Sequence, residues 1–165
     1  MKRTTERGFT LVEIMIVVAI IALLAAIAIP NVLRGRTTAN ETASIGNMRA
    51  LMSSLEMFRS VNNVYPLTAN WQANMYTNAT PAFGPPSFNN GMAGATVQGF
   101  NYTYVGTIST YTIDSVPLTP LTTGTRRFRA SETGLVRHCT CPDVACAAPN
   151  WANMPTIDQA TVNCA

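Results

Sequence analysis

Sixteen apolar residues in succession, Ile14 to Ile29, constrain this chain more than any other feature. In the whole block from Phe9 to Ile29 the only charge is Glu13. A helix rising ~1.5 Å per residue needs about 20 such residues to cross the ~30 Å hydrocarbon core of a bilayer, so residues 9–29 predict a transmembrane segment. Lys2, Arg3 and Arg7 precede it. The positive-inside bias keeps that leader in the cytoplasm and sends everything after Ile29 across the membrane. Cys139, Cys141, Cys146 and Cys164 then lie on the oxidising side, where an even number of cysteines predicts disulfides.

The helical pattern does not stop at Pro30. Val32, Leu33, Ile45, Met48, Leu51, Met52, Leu55, Phe58 and Val61 recur mostly at steps of three or four, among polar positions such as Arg34, Glu41, Arg49, Glu56 and Arg59. Asn62, Asn63 and Pro66 end it, since the residue before a proline is pushed away from helical dihedrals. A continuous helix over 9–61 would be ~80 Å long at ~1.5 Å per residue, so about half of it must be covered by something other than this chain. Lipid serves first and protein later. Pro30 removes one helical hydrogen bond, leaving the Ala26 carbonyl without its backbone donor.

Downstream, the chain is polar and rich in Thr, Asn, Ala, Gly and Pro. Residues 62–99 carry no periodicity and are expected to be a loop-rich connection. Residues 100–165 predict a β-sheet head: Phe100, Tyr102 and Tyr104 alternate with polar neighbours, and a run from Ile108 to Val116 follows Gly106-Thr107. A second pair, Thr125–Ala130 and Leu135–Cys139, flanks the turn sequence Ser131-Glu132-Thr133-Gly134. Phe128 is expected to point inward while Arg127 and Arg129 face out. The fold class is therefore α+β: a long helix, half transmembrane and half amphipathic, carrying a small antiparallel sheet with a disulfide-bearing tail.

The segment Arg7-Gly8-Phe9-Thr10-Leu11-Val12-Glu13, followed at once by the apolar block and Pro30, resembles the signal of type IV pilins and type II secretion pseudopilins. The match covers residues 1–61 well and the head in outline. The resemblance implies a leader of residues 1–8, removed by a membrane-embedded prepilin peptidase between Gly8 and Phe9, and methylation of the new Phe9 amine. It implies that Glu13 pairs with the Phe9 amine of a neighbouring subunit and so sets register during assembly, and that the helix loosens around Pro30 when the subunit enters a filament. The implied partners are copies of the chain, other pilins, the peptidase and an inner-membrane assembly platform. The implied location is the inner membrane with the head in the periplasm, then an extracellular pilus or a periplasmic pseudopilus.

The residue chemistry agrees with parts of this independently. Gly8 offers no side chain to obstruct a protease at the adjacent bond. A carboxylate in a membrane segment costs a few kcal/mol and needs a partner, and an α-amine, with a reference pKa of ~7.7 to 8.0, supplies a cation. The local alternative for Glu13 is a carboxylate favoured at a helix N-terminus.

Other features carry less. Ala26-Ile27-Ala28 has the small-x-small form of a signal-peptidase site, which would release a soluble periplasmic binding module beginning at Ile29. Glu13 at the head of the run and the helical pattern beyond Ile29 oppose that reading. His138 beside Cys139 suggests a metal site, but Cys139 and Cys141 are separated by one residue where zinc ligands have two to four. Bridges remain, either Cys139–Cys146 with Cys141–Cys164 or Cys139–Cys164 with Cys141–Cys146. Asp114, Glu132, Asp143 and Asp158 lack calcium-loop spacing, whereas the resemblance implies a calcium site in the heads of major pseudopilins. No phosphate loop, paired carboxylates or nucleophile triad is spelled out, so no enzyme and no cofactor are expected. The net charge of +3 is dispersed, with no basic face suited to nucleic acid. The sequence thus points to a structural subunit of a type IV pilus serving adhesion, motility or DNA uptake, with a type II secretion pseudopilin as the alternative.

Overall fold

The computed structural model describes residues 8–89 and 91–164. Lys2, Arg3 and Arg7, which carry the orientation argument, lie outside the described residues. The chain divides into two compact units, Met1–Gly35 and Arg36–Ala165. Helix α1, Leu11–Asn62, begins in the first and ends in the second, with Pro30 inside it.

In the first unit the helix is apolar on every side and none of its described side chains is buried. By length and composition it is able to cross a membrane.

In the second unit α1 is amphipathic. Glu41, Ser44, Met48, Leu51, Leu55 and Phe58 are buried, at steps of three and four that keep one stripe against a sheet. Asn63, at φ +60°, ends the helix in the left-handed conformation that asparagine tolerates, and its N–H donates to the Arg59 carbonyl.

The sheet is an antiparallel meander in the order β1 (Ala93–Val97), β2 (Phe100–Gly106), β3 (Tyr111–Pro117), β4 (Arg126–Ser131) and β5 (Val136–Thr140). Alternation assigns its faces. Phe100, Tyr102, Tyr104, Tyr111, Ile113, Phe128, Ala130 and Val136 form the core with the helix stripe. The fold class agrees with the sequence expectation. Two details of the strands differ from it. Ile108 is exposed rather than in a strand, because the Thr107 hydroxyl accepts from the Thr110 backbone N–H and builds a turn over 107–110, delaying β3 to Tyr111. Arg127 and Arg129 do lie opposite Phe128, but each is half-buried, because residues 141–164 fold back over that face and stack Trp151 against them, with guanidinium carbons 5.9 and 5.0 Å from its ring.

The largest departure is in residues 62–99. This stretch supplies a strand, β1, and buries Tyr65, Trp71, Met75, Tyr76, Phe88 and Met92. Its polar atoms are satisfied locally: Trp71 Nε1 donates to the Phe88 carbonyl at 3.2 Å and the Tyr76 hydroxyl to the Pro85 carbonyl at 2.9 Å. β1 itself has mostly small side chains and is held by pairing to β2 through Gln98-Gly99, both at positive φ as a type I′ hairpin requires.

The helix grips the loop between β3 and β4 through polar contacts. Asn40 Nδ2 donates to the Thr123 carbonyl at 2.9 Å. The buried Glu41 Oε1 accepts from Thr125 N (2.7 Å), Thr125 Oγ1 (2.8 Å) and Arg126 N (3.1 Å), while Oε2 accepts from Arg126 Nε at 2.8 Å. Burial pushes the Glu41 pKa up, but the hydrogen bonds from Thr125 and the Arg126 charge outweigh it, so the carboxyl titrates below its ordinary range.

Candidate processing and assembly segment

Residues 8–10 precede the helix without regular structure, so the Gly8–Phe9 bond lies in exposed, non-helical chain. A Cβ placed at Gly8 meets nothing within 4 Å. Among the described residues, then, none requires glycine at this position. Phe9 is 84% exposed.

Thr10 and Glu13 close the helix N-terminus on each other. Glu13 Oε2 accepts from Thr10 N at 2.8 Å and from Thr10 Oγ1 at 2.7 Å, and Glu13 N donates to Thr10 Oγ1 at 3.2 Å. This reciprocal arrangement satisfies two amide donors that a helix start would otherwise leave open. Thr10-Leu11-Val12-Glu13 has the S/T-x-x-E spacing of a capping box, the sequence signal that marks Thr10 as the partner of Glu13. The contacts on Glu13 fall on a single oxygen, and Phe9 N is an amide as long as Gly8 is attached.

Pro30 sits within α1. Its ring nitrogen has no proton for the Ala26 carbonyl. One residue on, Asn31 Nδ2 donates to the Ile27 carbonyl at 3.1 Å, adding a side-chain contact to this part of the helix.

Comparison with known proteins bears on this segment above all. Residues 3–29 match the model of the prokaryotic N-terminal methylation motif. The chain is 31% identical over 91 residues to type II secretion system core protein G of Aeromonas hydrophila, covering 55% of this chain and 64% of that one. It is 40% identical over 76 residues, 46% of this chain and 58% of the other, to the type IV wide pilus major component of Thermus thermophilus. In its N-terminal part this chain is similar to both pilins and pseudopilins. A third relative, core protein G of Pseudomonas aeruginosa, is 40% identical over 68 residues, 41% of this chain and 48% of that protein. The chain spans about half to under two thirds of the length of these relatives. No solved structure is detectably similar to it.

The head holds the remaining sequence candidates apart. Cys139 is bonded to Cys164 and Cys141 to Cys146. The sulfurs of Cys141, Cys146 and Cys164 lie within 4.8 Å of one another, but as bridged sulfurs they are not thiolate ligands. His138 and Cys139 are neighbours on β5 and so point to opposite faces. His138 is fully buried on the helix side across from Phe128, with no hydrogen-bond partner on either ring nitrogen. Burial lowers its pKa and the nearby Arg126 lowers it further, against a smaller opposing effect of Glu41.

Of the four head carboxylates singled out in the sequence, Asp114, Glu132 and Asp143 accept from protein donors, whereas Asp158 is exposed. Asp114 pairs with Arg129, and Glu132 Oε2 accepts from Tyr111 N. Asp143 Oδ1 accepts from Ala145 N and Cys146 N, closing the small loop of the second bridge.

Proposed function

We propose that the chain is the precursor of a type IV pilus subunit, cut between Gly8 and Phe9, methylated at Phe9 and drawn from the inner membrane into a filament through its N-terminal helix. The carrying observation is the apolar helix start, whose side chains from Phe9 to Ile29 are left unburied by the fold directly behind a methylation motif. Such a surface is stable only in lipid or against like helices. The role is structural, not enzymatic.

Cleavage converts the Phe9 amide nitrogen into an amine. Thr10 donates to Oε2 of Glu13, and in this reading the other oxygen takes the methylated Phe9 amine of the next subunit. In a low-dielectric bundle of helices that pair penalises any register in which amine and carboxylate miss each other. Around Pro30, where one backbone bond is already missing, the helix yields more readily than elsewhere as it leaves lipid.

The absence of calcium-loop spacing among Asp114, Glu132, Asp143 and Asp158, with the first three already accepting from protein donors, favours a pilus subunit over a pseudopilin with a calcium-binding head. The second reading, a pseudopilin of a type II secretion system, is favoured by the relatives named core protein G. Immunogold imaging of cells separates the two. Labelled surface filaments support the pilus, and label confined to the periplasm with loss of protein secretion on deletion supports the pseudopilus. N-terminal sequencing of the processed chain is expected to find N-methylated Phe9; a chain beginning at Ile29 would refute both filament readings in favour of a released periplasmic module.

A further inference from the structure

The outer edge of β5 does not end in solvent. It is covered by residues 155–164 in two short pieces. The first runs antiparallel, with Arg137 opposite Thr156; His138 N donates to the Pro155 carbonyl at 3.0 Å and Ile157 N to the Val136 carbonyl at 3.1 Å. The second runs parallel, with Thr140 opposite Asn163; Thr140 N donates to the Val162 carbonyl and Cys164 N to the Thr140 carbonyl, both at 2.8 Å.

Little else holds these pieces down. Residues 158–163 are exposed, and Ile157 is only partly buried. The firm tie is the Cys139–Cys164 bridge, which fastens the far end of the segment to β5 itself. Cys141–Cys146 instead closes a five-residue separation ahead of the segment and spans no part of the β5 edge pairing.

Stripped of its cover, β5 is suited to accept a strand. Residues 137 and 139 turn their backbone groups to β4, where they pair with Arg129 and Arg127, so the groups of Val136, His138 and Thr140 face outward. These three positions are spaced symmetrically about His138. A second β5, running antiparallel across a two-fold axis, brings 136 opposite 140 and 138 opposite 138, and meets every outward donor and acceptor. The edge at the other side of the sheet differs. β1 has a register irregularity between Ala93 and Ala95, with Gly94 at φ +81°, a distortion of the kind that blunts an edge against pairing.

We propose that residues 155–164 are an edge cap, clipped in place by Cys139–Cys164, and that the strand site they occlude on β5 is one that takes the β5 of a second copy of this chain. The clip prevents head-to-head pairing among subunits that are crowded by their helices. The proposal concerns the head alone and is independent of which filament the subunit enters.

The test uses the full chain in detergent micelles, with the wild type as baseline for any association through the helix. The Cys139→Ser/Cys164→Ser variant is expected to sediment as a concentration-dependent dimer. Its His138 and Thr140 amides are expected to exchange with deuterium more than about tenfold faster than wild type at low concentration and to regain protection as the dimer forms. Adding Thr140→Pro, which removes an outward N–H, is expected to abolish that dimer, and Cys141→Ser/Cys146→Ser is expected to associate no more than wild type. Near-UV circular dichroism reports whether the core is intact. Should the clipless variant lose that signal, the Cys141→Ser/Cys146→Ser protein, folded first and then reduced with a phosphine so that only Cys139–Cys164 is opened, provides the comparison from a folded start. A folded, clipless chain that stays monomeric at the concentrations used, or a dimer insensitive to Thr140→Pro, overturns the proposal.

Discussion

Replacing Glu41 by alanine isolates the polar clasp between helix and sheet. The substitution removes one carboxylate and with it four hydrogen bonds, from Thr125 N, Thr125 Oγ1, Arg126 N and Arg126 Nε. Losing one member of a buried ion pair typically costs ~3 to 5 kcal/mol, because the other is left unpaired. Here the Arg126 side chain is 27% exposed and can turn toward water, so its share is reduced. The two backbone N–H groups have no such freedom. The expected loss is about 2 to 3 kcal/mol, which for a unit of this size lowers the melting temperature by roughly 8 °C. Glu41→Gln keeps an acceptor for the Thr125 N–H but turns an NH2 toward Arg126 Nε, donor against donor, and is expected to fall between wild type and alanine. Thermal melts of the purified chain in micelles, followed by near-UV circular dichroism, provide the measurement. A Glu41→Ala melt within about 0.5 kcal/mol of wild type, the range of an ordinary surface change, would refute the account of this contact as a buried clasp.

Acid is expected to loosen the head in two steps that the same melts resolve. The His138 pKa is lowered from 6.5 in the fold, so the unfolded chain takes up its proton first and stability present above 6.5 declines as pH falls below it. The Glu41 pKa is lowered from 4.5, so its contribution, full above 4.5, is lost as pH falls through the folded value; a His138→Phe variant that keeps the upper step would contradict the assignment. Removing Cys139–Cys164 is expected to lower the stability of oxidised protein by about 3.5 kcal/mol and removing Cys141–Cys146 by about 2, from loop-closure entropy, with equal losses in urea titrations counting against that ordering. Gly8→Val is expected to leave an uncut precursor in the membrane, read by its size on immunoblots, with a mature-sized band refuting the proposed cut. Glu13→Ala is expected to permit cleavage yet reduce filament yield well below wild type, and normal yield from confirmed processed protein would remove the assembly role.

The N-terminal half of this protein is legible in its sequence because its determinants are local. The Thr10-Glu13 helix start, the apolar run to Ile29, and the change to steps of three and four from Glu41 to Phe58 follow from neighbours three and four residues apart. The alternating strands β2 to β5 are legible for the same reason: period two is written in Phe100-Tyr102-Tyr104 and Phe128-Ala130. What the tertiary structure decides is everything that depends on distant partners. Residues 62–99 read as plain loop, yet Trp71, Met75, Tyr76 and Phe88 fill the core, because their irregular spacing makes sense only against the face of β2 and the end of α1. Glu41 looks like a solvated helix residue until Thr125 and Arg126 arrive from 84 and 85 residues away. Arg127 and Arg129 are outward by alternation, but only the fold brings Trp151 over them. The cysteines limited the sensible pairings to two, and the choice between those two came from the path of residues 141–164, which returns along β5 and sets Cys164 beside Cys139. Local periodicity is a property of the covalent chain, whereas a bridge, a clasp or an edge cap exists only where folding has already brought separate segments within bonding distance.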